Sequence, residues 1–207
     1  MAQPTISRAR HAAIPDVSGV KGNARLTGTL ASVLLVLLAL EGVTIVRIGS
    51  LLTIHVFIGV LLIGPVLVKI ASTSWRFAKY YWGDPQYRRK GPPPIALRLL
   101  GPVIVILTLA LLGSGIGLIA APLAWRSLLL FVHKASFVLW FAVMTIHVLG
   151  HIAETARLAP LDFLHRTRRQ VRGASVRQWV VATSLFVGLI AAVALTPLAN
   201  NWFAHHF

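Results

Sequence analysis

The chain has 207 residues, 57% of them hydrophobic and only 12% charged, with a mean hydropathy of +0.78, which excludes a soluble domain with an ordinary polar surface. Twenty Lys and Arg against five Asp and Glu give a formal net charge of +15, for which nucleic acid, anionic lipid and membrane topology are rival explanations. Cysteine is absent, so disulfides, thiolate metal sites, iron–sulfur clusters and cysteine nucleophiles are excluded, and a metal would need His or oxygen ligands.

The chain opens on a basic segment, residues 1–25, that carries Arg8, Arg10, His11, Lys21 and Arg25. Five apolar stretches follow that meet or approach the roughly 20 residues a membrane helix needs: Leu26–Val46, Leu51–Ala71, Leu97–Ala120, Ser127–Ala153 and Trp179–Leu198. The first reads as a span and not a cleavable signal, because its apolar core is too long and ends in Glu41-Gly42-Val43. Residues 26–153 are thus expected to form a four-span bundle, 154–178 a basic loop, 179–198 a fifth span and 199–207 a tail. Between spans two and three, Trp75, Phe77, Tyr80, Tyr81, Trp82 and Tyr87 alternate with Arg76, Lys79, Arg88, Arg89 and Lys90. That mixture suits a segment lying at headgroup level, and Pro92, Pro93 and Pro94 mark the start of the third span.

Position resolves the charge. Seventeen of the twenty basic residues fall on one side of the five spans, and only Arg47, Arg126 and Lys134 on the other. Basic residues concentrate in cytoplasmic loops, so the N-terminus is expected inside and the C-terminus outside, in a bacterial-type inner membrane. The asymmetry accounts for the net charge without nucleic-acid binding, and contact with anionic lipid comes as a by-product.

Ionisable residues inside spans are costly and are functional candidates. His55 lies eight residues past Arg47, and His133 lies seven past Arg126. At about 1.5 Å per residue both sit roughly 10–12 Å below the same surface, on spans that run in the same direction. Two imidazoles at one depth are what a bis-His haem requires. His147 follows His133 by 14 residues, within about 40° of the same face and roughly 21 Å further in. The matching position on span two is Lys69. Lysine would have to lose its proton to bind iron, but as a cation it can hydrogen-bond a quinone carbonyl, although snorkelling to the headgroups is an equal alternative. Arg47, Arg126 and Lys134 are candidate partners for haem propionates, and Glu41 is expected to pair with one of them, proton handling being the alternative. Gly59 stands one turn from His55, where it would let a porphyrin approach, while Gly113, Gly115 and Gly117 serve helix packing or the same purpose on span three. A zinc site from His147 and His151 would need Glu154, which stands too close to water.

With these residues in hand, the sequence resembles the b-type cytochrome subunits of formate dehydrogenase-N and nickel–iron hydrogenases. The resemblance rests on His55 in span two, on His133 and His147 within "FVHKASFVLWFAVMTIHVLGH", and on the topology, over Leu26 to Ile152. It implies electron transfer between an outer-face redox subunit and membrane menaquinone or ubiquinone, through haem b held by His55 and His133. The family's second haem uses a His from span one, where this chain has only Thr27, Thr29 and Ser32. Ferric-reductase and sulfoxide-reductase haem subunits share the 14-residue spacing but show it on two helices. One haem is therefore expected, a second at His147 with His11, Lys69 or His151 being the alternative. A stand-alone quinone or ferric reductase and a haem-free assembly or transport protein are the rival functions.

Overall fold

The computed structural model describes residues 18–91, 95–158 and 173–199. Among these residues all regular structure is helical: α1 (Ser18–Val46), α2 (Ile48–Tyr81), a short α3 (Pro85–Lys90), α4 (Ile95–Ala120), α5 (Arg126–Leu158) and α6 (Ala174–Leu195), with single 3-10 turns at Leu123–Trp125 and Thr196–Ala199. Every helix except α3 is long and apolar enough to cross a membrane. Leu35, Val36, Leu40 and Val43 on α1, and Phe131, Val138 and Leu139 on α5, are exposed. Apolar surface of that extent is stable in lipid and not in water, so the chain is a multi-pass all-α membrane protein. Residues 1–17, 92–94, 159–172 and 200–207, with His11, His165, His205 and His206, the prolines expected to mark the start of the third span, and much of the expected N-terminal segment, basic loop and tail, lie outside the described residues.

The spans run longer than hydropathy alone indicates. α2 has 34 residues with a kink at Leu51, whose φ of −114° and ψ of 17° are not helical; the run beyond the kink to Tyr81 is still on the order of 45 Å long at 1.5 Å per residue, against roughly 30 Å of hydrocarbon. The aromatic segment expected to lie separately at headgroup level is, as far as Tyr81, the continuation of this helix. Nothing between Ser72 and Trp82 breaks a helix, and neighbours one turn apart support it: Phe77 and Tyr81 stack at 4.4 Å, and Lys79 sits 5.2 Å from the Trp75 ring. The stop comes at Gly83, whose φ of 86° is open to glycine and strained for other residues. Asp84 then caps α3, its carboxylate accepting from the Gln86 amide at 3.0 Å, with Pro85 in the first turn.

Helices α1, α2, α4 and α5 close a four-membered ring in which α1 touches α2 and α5, and α4 touches α5 and α2. α2 and α5, the helices that carry His55 and His133, therefore stand on a diagonal. α6 lies outside this ring, packed mainly on α2. Their backbones meet at two glycines: a Cβ on Gly64 would collide with the Ser184 carbonyl oxygen, and one on Gly188 with the Leu61 carbonyl oxygen. Close approach between small residues is how helices gain packing energy where lipid is as apolar as leucine.

Polar ties fix the ring. The buried Trp140 indole donates to Thr108 Oγ1 at 2.9 Å, joining α5 to α4. Near the basic end, Thr27 and Ser72 hydroxyls meet at 2.9 Å, Ser72 donates to Asn23 Oδ1 at 2.6 Å, and Lys69 Nζ donates to the Thr27 carbonyl at 2.7 Å, all between α1 and α2. With lipid around them, these groups are satisfied within the bundle, as membrane helices require.

Candidate functional site

The diagonal geometry brings His55 and His133 together across the bundle, with ring centroids 6.2 Å apart and ring planes nearly perpendicular, at 88°. Each ring is held through Nδ1. His55 Nδ1 lies 3.0 Å from Glu41 Oε1 and 3.0 Å from Thr44 Oγ1. The Thr44 hydroxyl already donates to the Glu41 backbone carbonyl at 2.6 Å, so both atoms present lone pairs to the ring. The imidazole proton must sit on Nδ1. His133 Nδ1 lies 3.1 Å from the Leu111 carbonyl oxygen, which can only accept, and 3.2 Å from Ser114 Oγ, whose hydroxyl donates to that same carbonyl at 3.0 Å. Its proton is fixed on Nδ1 by the same logic.

In its neutral form each ring is thereby left with its lone pair on Nε2, and among the described residues neither Nε2 has a hydrogen-bond partner. Histidine ligands to metals are oriented in this way, with the far N–H given to a carboxylate or a carbonyl. Two metal–nitrogen bonds of about 2.0–2.1 Å, plus roughly 1.1 Å from each nitrogen to its ring centre, would separate two axial imidazoles by about 6.3 Å. The centroid spacing of 6.2 Å is close to that value. Among the described residues no cluster of three or more His, Asp or Glu could enclose a bare metal ion, so the donor set suits a centre needing only two protein ligands.

Local packing is cut to these rings. A Cβ on Gly115 would stand 3.3 Å from His133 Cε1, tighter than an ordinary contact. Gly59, expected to face a porphyrin, instead makes room for the Glu41 carboxylate: its Cβ would lie 3.3 Å from Glu41 Oε1. Glu41 itself pairs with His55 and not with a basic residue, because Arg47 and Lys134 are exposed while Glu41 faces inward. Lys134, next to His133 in sequence, is turned about 100° from it around the helix. Arg126 is half-buried at the start of α5, two turns before His133 and on its face.

The second level is less assembled. His147 is half-buried four turns along α5, and Lys69, its counterpart on the diagonal helix, has its ammonium on the Thr27 carbonyl, so it is tied to α1 and does not snorkel freely. The His151 and Glu154 side chains lie outside the described residues. Thr44, Ser114 and the Leu111 carbonyl were not identified from the sequence. Thr44 stands three residues after Glu41, hence on its face, and Ser114 is the one hydroxyl in the Gly-rich end of α4, between Gly113 and Gly115. Comparison with protein-family models, curated proteins and solved structures finds no match to this chain.

Proposed function

We propose that this chain is a cytochrome b-type electron-transfer protein that holds one haem b between Nε2 of His55 and Nε2 of His133 and links an outer-face redox partner with membrane quinone. The observation that carries the reading is the pair of imidazoles on diagonal helices, each with its proton fixed on Nδ1, at the spacing of two axial ligands. Haem b, when bound, supplies a one-electron couple. Everything else is the work of the chain: α2 and α5 fix the ligand separation, Glu41, Thr44, Leu111 and Ser114 fix the tautomers, and the lipid-facing helices keep water out. Arg126 is the basic residue best placed to meet a propionate.

A haem-free transport protein is the rival reading, favoured by the Glu41–His55 contact, which resembles a proton-handling pair. It leaves the matched orientation of His133 unexplained. The purified protein separates the two: a Soret band with α and β bands on reduction supports the haem reading, and a colourless protein from haem-supplied cells rejects it. Reduction by a quinol analogue with no partner present would favour a stand-alone reductase.

His147 belongs in this reading to the quinone level, on the face of α5 that carries His133 and about 21 Å from it. His147→Ala should leave the low-spin spectrum intact while lowering quinol oxidation at least tenfold. A halved haem content in that variant would make His147 a ligand to a second haem instead.

The 17-to-3 division of basic residues supports an inner-membrane orientation with the N-terminus cytoplasmic. A reporter fused after Phe207 should be active only if it folds outside the cytoplasm. Activity of a cytoplasm-only reporter there would mean a miscounted span.

A further inference from the structure

The two candidate axial ligands are anchored unequally. His133 Nδ1 gives its proton to neutral acceptors, the Leu111 carbonyl and Ser114 Oγ. His55 Nδ1 faces a carboxylate oxygen at 3.0 Å. That carboxylate has a built seat: Thr44, one turn along α1, holds the Glu41 backbone carbonyl at 2.6 Å and lies 3.4 Å from Oε2, while Gly59 on α2 omits the side chain that would crowd Oε1. The Glu41 side chain is only 12% exposed and that of His55 19%, so water screens the interaction little. Both helices are thus shaped to bring an acid to the back of one imidazole, at a depth where an ionisable group is costly.

Resting on the haem reading above, we infer that Glu41 is the positioning residue that sets the redox potential of the centre through His55. An acceptor with full negative charge on the Nδ1 proton increases the electron density that Nε2 donates, and the charge itself favours the more positive metal state. Both effects act in the same direction. The oxidised state is stabilised and the potential is held lower than two neutral anchors would set it. His133, with neutral partners, has no such effect, which makes α1 the tuning helix although it carries neither ligand.

The test is a spectroelectrochemical titration of the full chain in detergent or nanodiscs. Glu41→Gln keeps the shape and the hydrogen-bond acceptor but removes the charge. At a fixed ambient potential near the midpoint it should raise the ratio of reduced to oxidised haem about tenfold, which is about 59 mV for a one-electron couple. Ser114→Ala, which alters a neutral anchor, should move the ratio less than threefold. A Glu41→Gln protein with a full haem complement and a ratio within twofold of the parent overturns the inference and leaves the haem reading standing. If that variant fails to hold haem, Gly59→Ala, which displaces the carboxylate without deleting it, must raise the ratio at least twofold, and an unmoved ratio overturns the inference. A parent protein with no Soret band removes the haem reading itself.

Discussion

Replacing His55 or His133 by Ala should abolish the low-spin haem spectrum of the purified protein. Each ring supplies one of two axial nitrogens, and the described residues offer no substitute at that level: Glu41 and Thr44 stand behind His55 at its Nδ1, and Leu111 and Ser114 behind His133. The single variants should retain at most a high-spin, five-coordinate haem, and the double variant none. A ligand present at a thousandfold its dissociation constant stabilises the folded state by about 4 kcal/mol, so the variants should also melt on the order of 10 °C lower. Full retention of the low-spin spectrum in both single variants would sink the assignment.

The next largest effect belongs to the α2–α6 crossing. Gly64→Leu drives a side chain into the Ser184 carbonyl, with the Ser184 carbonyl carbon 3.1 Å and the Gly188 amide nitrogen 3.2 Å from where even a Cβ would sit. The obstructing atoms are backbone, so relief requires α6 to move away from α2. Overpacking costs about 1–3 kcal/mol where side chains can adjust, and here the loss should reach or exceed the top of that range. Gly113→Leu is the control, since nothing lies within 4 Å of its Cβ position and its face is exposed. Thermal unfolding in one detergent compares them. Equal melting of the two variants would mean that α6 does not dock through these glycines.

The spans were legible because a bilayer imposes a length and a polarity that a sequence must meet. Their ends were less so. Hydropathy falls at Trp75-Arg76 and suggests that the helix stops near Ala71, yet backbone propensity is undisturbed until Gly83, and α2 follows the backbone. The histidine pair could be found by counting from Arg47 and Arg126, since depth in a membrane is a one-dimensional quantity. What surrounds the pair depends on the rotational phase of each helix, which counting does not supply. Charge alone pairs Glu41 with a basic residue, whereas Arg47 and Lys134 are exposed and His55 is within reach. The spacing puts Gly59 on the face of His55, but the group it accommodates comes from α1. The Leu111 carbonyl is beyond any residue-type argument, because a backbone acceptor has no sequence signature. Counting puts Lys69 at the matching inner depth, but its bond to the Thr27 carbonyl follows from α1 lying beside α2, which counting does not supply.

The haem-to-protein ratio bears most directly on the central claim, because it tests ligation and haem count together. Pyridine-haemochrome analysis of the full chain, purified from cells supplied with haem and normalised to protein by amino-acid analysis, should give close to one haem b per chain, falling to near zero when His55 and His133 are both replaced. A ratio near zero in the parent protein, or one that survives the double replacement, would contradict the assignment of these two histidines as the ligands of a haem.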